Sequence, residues 1–314
     1  MIEMENLAPI VLFVYNRPEH TRKTIMSLQG NKLSSESELF IFSDAPRNEN
    51  DVEDVKRVRG IIDEIDGFKN ITVIKAEHNR GLANSVINGI TEIINKYGTV
   101  IVLEDDLITS PYFLSYMNEA LKFYGENLNI WSISGYTPDI RFPGGYKEEI
   151  YLSLRGCSWG WATWKHQWDL VDWNVSDYDS FKSSWDKRKN FNMGGNDLSY
   201  MLDDQMAGRI NSWAIRWVYS QHKQTKYTIY PVNSFVGNIG LDFSGTHSSN
   251  ADKYKTKEIY QSEIQFTSNY AINSDILKEF KRFYDLNAKG YLGVLARRTG
   301  TYKYARKIMK KLAR

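Results

Sequence analysis

The sequence predicts an α/β fold: a mostly parallel sheet flanked by helices, then a less regular second half and a C-terminal helical extension. Three observations carry this. Four short continuous apolar runs occur before residue 104, the pattern of strands buried on both faces. Between them, apolar residues recur at spacings of three and four, as on one face of a helix. The resulting order β-α-β-α-β-α-β closes most simply into a parallel sheet with helices on its faces.

The first strand is Ile10 to Val14, and Pro18 to Leu28 is a helix with proline near its start. Leu39 to Phe42 is the second strand. Val52, Val55, Val58, Ile61, Ile62 and Ile65 mark a helix opened by Asn50, with Glu53 three residues on, and closed by Gly67. Ile71 to Ile74 is the third strand. Leu82, Val86, Ile87, Ile90, Ile93 and Ile94 form a helix that stops at Gly98, and Thr99 to Leu103 is the fourth strand. Ser110-Pro111 opens a helix running through Tyr112 to Tyr124, and Ile130 to Ser134 is a further strand, after which the alternation ends. From Tyr291 a helix is again expected, with Leu292, Val294, Leu295, Tyr302, Ala305, Ile308, Met309 and Leu312 among basic residues.

Composition narrows the function. With 314 residues, 42% apolar and 25% charged, the chain has ample core and no disordered or collagen-like character. Forty basic and 38 acidic residues are too balanced for a nucleic-acid binder. The single cysteine, Cys157, forms no internal disulfide. No apolar run approaches the ~20 residues of a membrane span, and the eight from Ala8 to Tyr15 lack signal-peptide flanks. A cytoplasmic location is therefore expected. Two asymmetries remain: all nine tryptophans lie between Trp131 and Trp217, and residues 297–314 hold eight Lys/Arg and no acid.

A polar cluster succeeds each of the four strands. The clusters are Tyr15-Asn16-Arg17, Ser43-Asp44, Glu77-His78-Asn79-Arg80 and Glu104-Asp105-Asp106. In a parallel sheet all four project from the carboxyl edge, where open α/β sheets bind ligands. No G-x-x-x-x-G-K-[ST] and no G-x-G-x-x-G comes after the first strand, which disfavours P-loop enzymes and standard dinucleotide dehydrogenases. Three adjacent carboxylates repel one another unless a cation or donors compensate. Oxygen ligands of this kind suit magnesium or manganese; the same triplet also reads as a helix-cap and turn cluster.

These segments resemble a known family. Residues 9–18, Ser43-Asp44, His78-Asn79-Arg80-Gly81-Leu82-Ala83 and Leu103-Glu104-Asp105-Asp106-Leu107, with Ser110-Pro111-Tyr112-Phe113 behind, look like a nucleotide-sugar glycosyltransferase of the GT-A fold. The likeness is to bacterial family 2-like sugar transferases and to N-acetylglucosaminyltransferase I. It covers residues 8–125 well and continues more loosely to about 250. It implies a GT-A domain over residues 1–260 and a helical extension over 261–314. It implies that Arg17 approaches the nucleotide or its diphosphate, that Asp44 hydrogen-bonds uracil, and that Arg80 contacts the donor. Glu104 and Asp105 would hold the ribose and donor sugar, and Asp106 the divalent ion bridging the diphosphate.

The second half would supply the acceptor side. A single tryptophan reads as core; the stretch Ser158 to Trp164 is open between core and a sugar-facing wall. Leu202-Asp203-Asp204-Gln205-Met206 resembles the Trp-Asp-Asp-Trp-Met segment that carries the base in N-acetylglucosaminyltransferase I, with Leu202 and Gln205 in place of the tryptophans. Asp204 is thereby the expected base, with Asp203 and then Asp197 behind it. The glycine- and serine-rich stretch from Gly237 to Ser249 reads as a mobile loop, and its His247 as either a metal ligand or a hydrogen-bonded side chain. The basic tail reads as a membrane-surface helix or a solvated one.

The expected activity is metal-dependent, inverting transfer of a sugar, an N-acetylhexosamine, from a UDP-sugar to a glycan or lipid-linked glycan, on the inner face of the membrane. Two alternatives stand beside it. A sugar-phosphate nucleotidyltransferase would want a glycine-rich, lysine-bearing phosphate loop, which Asn16-Arg17-Pro18 is not. A carbohydrate-binding protein would use the tryptophans and need no acidic triplet.

Overall fold

The computed structural model describes residues 7–241, 251–268 and 271–301. The four predicted strands form as β1 (Ile10–Val14), β2 (Glu38–Ser43), β3 (Asn70–Lys75) and β4 (Thr99–Glu104), alternating with α1 (Pro18–Gln29), α2 (Val52–Asp63) and α3 (Leu82–Tyr97). Next come β5 (Leu107–Thr109), α4 (Phe113–Tyr124), β6 (Ile130–Ser134), β7 (Ile150–Ser153) and β8 (Trp161–Trp164). Helices α5 (Lys165–Trp168), α6 (Tyr178–Ser183), α7 (Trp185–Phe191), α8 (Leu198–Met206) and α9 (Trp213–Lys223) lead to β9 (Tyr227–Pro231) and β10 (Val236–Asn238). The described chain closes with α10 (Ala251–Tyr254), α11 (Ser274–Tyr284) and α12 (Ala288–Arg298).

Eight strands make one sheet in the order β3-β2-β1-β4-β8-β6-β9-β7, and β5 pairs antiparallel with β10 beside it. The first-half strands are mutually parallel, as the alternation predicts. In the second half β8 and β7 run antiparallel to their neighbours. All five β1 residues are buried because both faces of the strand are covered. Ile10, Leu12 and Val14 pack with residues of α1, α2 and α4, while Val11 and Phe13 pack with α3 and α9. The chain lays β2 and β3 on one side of β1 and then β4 on the other. The carboxyl ends of β1 and β4 therefore border the point where strand order reverses, the place where such sheets open a crevice.

Most of the tryptophans belong to the core. Trp131, Trp161, Trp168, Trp213 and Trp217 are buried in one cluster on the α3 face. Ring centroids lie 4.4 Å apart for Trp131 and Trp217 and 5.2 Å for Trp161 and Trp213. Trp164 is buried too, its Nε1 donating to the Leu121 carbonyl at 3.1 Å. A sugar-facing role is thus removed from Trp161 and Trp164: alternate residues of β8 point into the two cores. Of the tryptophans in that stretch, Trp159 alone is partly open.

The C-terminal extension is helical, as expected, over its described residues. Helix α11, capped by Asn273 Oδ1 accepting from the N–H of Asp275 and Ile276, buries Ile276 and Phe280 against Tyr151 of β7 and Tyr230 of β9. Helix α12 starts at Ala288, three residues before the expected start. Among the described residues no helix is long and apolar enough to cross a membrane.

Candidate active site

The crevice between β1 and β4 is built by the turns at the carboxyl ends of these strands. After β4, Asp105 turns back toward β1, where its Oδ2 accepts from the Tyr15 N–H at 3.2 Å and its Oδ1 from Arg17 Nη2. The same Nη2 donates to Asp106 Oδ2 at 3.0 Å. Arg17 is placed from the other side: Tyr15 OH and Asn16 Nδ2 donate to the two oxygens of Asp51 at 2.9 and 2.8 Å. Thr24 of α1 clamps the turn, donating to the Asp105 carbonyl at 2.9 Å and accepting from the Leu107 N–H at 3.2 Å. One guanidinium therefore stands between two of the three predicted acids.

The remaining acid shows how concentrated the negative charge is. Burial first, then the Asp106 and Asp105 carboxylates, push the Glu104 carboxyl up to about 8, with Arg17 opposing. Burial also raises Asp105, against the pull of Arg17. The segment after β10 closes over the cluster. Ile239 N–H donates to the Asp106 carbonyl at 2.8 Å, and a Cβ on Gly240 would overlap Asp106 Oδ2 and lie 2.8 Å from Arg17 Nη1. Glycine is needed at 240 for that approach.

Asp44, at the end of β2, is buried and committed to backbone. It accepts from the N–H of Ala45, Arg80 and Gly81, each at 2.9 Å. Gly81, with φ of +72°, makes the turn that aims these N–H groups before α3 begins. The Arg80 side chain is exposed. The structure thus brings Arg17, Asp44, Arg80, Glu104, Asp105 and Asp106 to one sheet edge. His247 lies outside the described residues.

The expected base requires correction. Asp204 has 0% exposure: Arg209 Nε donates to its Oδ1 at 2.8 Å and Arg297 Nε to its Oδ2 at 2.6 Å. Asp203 is gripped by the Arg188 fork at 2.8 and 2.9 Å, by Tyr178 OH at 3.0 Å and by Arg298 at 2.8 Å. Burial opposes it, but the Arg188 and Tyr178 hydrogen bonds hold Asp203 below the usual carboxylate range. Buried between two guanidiniums, Asp204 is closed to an incoming hydroxyl, and Asp203 is already shared by two guanidiniums and a phenol.

Asp197, just before α8, meets one arginine fork among the described residues, where Asp203 and Asp204 each meet two arginines. The Arg155 fork reaches it at 2.7 and 2.9 Å, and Arg155 lies 4.0 Å from the ring centre of Tyr284. Tyr284 neighbours Tyr254, Tyr254 neighbours Trp159, and Trp159 packs edge-on against Tyr136 at 4.7 Å. Tyr136 comes after β6 and Trp159 precedes β8, both at the carboxyl edge next to β4. A run of aromatic contacts therefore leads from the Arg155–Asp197 pair to the carboxyl edge beside β4. Nothing in the sequence singles out Arg155, since its partner lies 42 residues away.

Among the described residues no three His, Cys, Asp or Glu side chains form a complete metal-ligand group. Magnesium and manganese commonly take one or two carboxylates and complete their shell with substrate phosphates and water. Asp106, with Glu104 two residues before it, fits such a partial oxygen set.

A doubly wound sheet with acids and an arginine gathered at its switch point is the architecture of the GT-A class. The model of Glycosyl transferase family 2 matches residues 10–190, and the chain belongs to that family. Solved structures similar to it include S. aureus TarS 1-349, at 11% identity over 75% of this chain and 62% of that one, with a TM-score of 0.41. A mannosyltransferase from Pyrobaculum calidifontis in complex with GDP-Man and Mn2+ matches at 11% identity over 51% of this chain and 46% of that one, TM-score 0.35. A UDP-glucose pyrophosphorylase complexed with UDP-glucose matches at 12% identity over 74% and 94%, TM-score 0.38. The chain thus spans about half to three-fifths of the first two of these structures. No curated protein matches its sequence.

Proposed function

We propose that the chain is a metal-dependent, inverting glycosyltransferase that moves a sugar, an N-acetylhexosamine, from a UDP-sugar to a hydroxyl of a glycan or lipid-linked glycan. The observation that carries this reading is the Arg17 guanidinium set between Asp105 and Asp106 at the β1–β4 switch point, under Gly240. Arg17 meets the diphosphate, Asp44 and Arg80 border the nucleotide, and Asp106 with Glu104 would hold manganese or magnesium. That ion, when bound, would offset the charge gained by the departing diphosphate.

Asp197 takes the proton of the acceptor hydroxyl as its oxygen bonds to the anomeric carbon. The bond from that carbon to the diphosphate oxygen breaks, and its electron pair leaves with UDP. Attack from the face opposite the leaving group inverts the centre. Arg17 receives part of the charge on the leaving diphosphate through its N–H groups. Asp105 fixes Arg17 rather than touching the sugar. Trp159 and Tyr254 offer ring faces to the C–H faces of the acceptor. Burial of most of the tryptophans leaves the carbohydrate-binding alternative little surface to work with.

Calorimetric titration of UDP with and without manganese tests the reading. Metal-dependent UDP binding that disappears in Asp106→Ala is the expected result. Binding of free sugar without UDP binding overturns it.

A further inference from the structure

Helix α2 carries a cation within its apolar stripe. Val55, Val58 and Ile62 are its buried residues, and Val58 and Ile62 share a core cluster with Leu39 and Ile41 of β2. Arg59, four residues after Val55 and three before Ile62, falls on the same face, where helical spacing calls for an apolar side chain. It is half-buried, and its guanidinium bonds neutral oxygens: Nε donates to Ser43 Oγ at 3.3 Å, and Nη2 to the carbonyls of Ala76 at 2.8 Å and Asp44 at 3.4 Å. Among the described residues no carboxylate pairs with it. These oxygens lie where two strands part. Ser43 pairs with Lys75 at the end of the β2–β3 ladder, and the Ala76 N–H donates to the Ser43 carbonyl at 2.9 Å. One step further the Asp44 and Ala76 carbonyls have left the ladder, and the two N–H groups of Arg59 Nη2 join them.

We propose that Arg59 is a positioning residue for the base end of the nucleotide. It touches no substrate. It holds the loops after β2 and β3 at the spacing between which a nucleobase is received. The inference rests on the nucleotide-sugar reading above and adds to it which residue keeps that edge in shape. Two observations carry it. A half-buried cation without a counter-charge loses hydration that an aliphatic residue at the same place would not need, so stability alone does not select arginine there. What an aliphatic residue lacks is the set of charge-assisted bonds to oxygens on both loops. Those loops carry the groups assigned to the base end: Asp44 itself, and the Arg80 and Gly81 N–H groups that its carboxylate gathers. Asn79 Nδ2, donating to the Ala45 carbonyl at 2.7 Å, ties the same two loops at their outer side. Loops ordered before the ligand arrives spare it the cost of ordering them.

Calorimetric titration of the full chain with two probes, UDP and inorganic pyrophosphate, each with manganese, tests the role. The variant is Arg59→Met, whose side chain suits the apolar stripe; Arg59→Gln repeats the measurement should the methionine variant not fold. UDP affinity should fall by about tenfold, while pyrophosphate, which has no base, should bind as it does to the wild type. In transfer assays the donor KM should rise with kcat unchanged, as when binding common to ground and transition states is removed. A variant that binds UDP as tightly as the wild type overturns the role of Arg59, even if it melts lower. So does equal weakening of both probes, or a loss confined to kcat. A wild-type chain that binds no UDP removes the nucleotide reading first, and this role with it.

Discussion

At the residue scale, Glu104 makes the charge of the crevice measurable. Its carboxyl, ordinarily near 4.5, is pushed to about 8. Between those values the folded state holds a proton that the unfolded state has lost, so metal-free stability falls as pH rises through this window. Thermal melts across pH should show that decline, and Glu104→Gln should flatten it. Manganese with UDP should bind more tightly as pH rises toward 8, since the proton competes with the ion. Gly240→Ala sets a methyl group against Asp106 and Arg17; transfer should fall by about tenfold or more, with little change in melting temperature. Asp197 and Asp204, at the two ends of α8, separate by a different test. Asp197→Asn should lower turnover by about a thousandfold while calorimetric UDP binding persists. Asp204→Asn leaves Arg209 and Arg297 short of a buried counter-charge and should destabilise the fold by about 3 kcal/mol.

At the element scale, the junction of β2 with α3 rests on one side chain. Asp44 takes the N–H groups of Arg80 and Gly81 just before the helix and that of Ala45 just after the strand. Asp44→Ala should cost about 1–3 kcal/mol in denaturant unfolding, because one buried and two part-buried donors lose their acceptor. The same loss would let the Arg80 loop move away from the edge where we propose the nucleotide binds, so UDP affinity should fall with it. Helix α8 shows the opposite arrangement. Four arginines, from α7, α12 and the α8–α9 turn, hold its two C-terminal aspartates, which makes that end a fastening point for the helices around it.

At the scale of the whole molecule, the C-terminal extension shares the core of the sheet. Phe280 is buried against Tyr151 and Tyr230, with ring centroids 6.2 and 5.1 Å away. Phe280→Ala should cost about 3–5 kcal/mol by calorimetric melting. A chain ending at residue 260 should melt well below the full one, because Tyr151 and Tyr230 would face water.

Much of the first half was legible without coordinates. Periodicity is local, and a strand buried on both faces must be apolar throughout, so β1 to β4 and the helices between them could be read in order. The polar clusters after those strands could be assigned to one edge because parallel pairing leaves no other arrangement. The second half resisted for the converse reason. Its antiparallel strands, tryptophan core and α11 owe their places to partners far along the chain. Local pattern was enough to say where the first-half strands run and which acids line their edge. Which acid is already occupied by a guanidinium emerged only once the chain was folded. Arg17 reaches Asp105 across 88 residues, Arg297 reaches Asp204 across 93, and a carboxylate's charge and access depend on such neighbours and on burial.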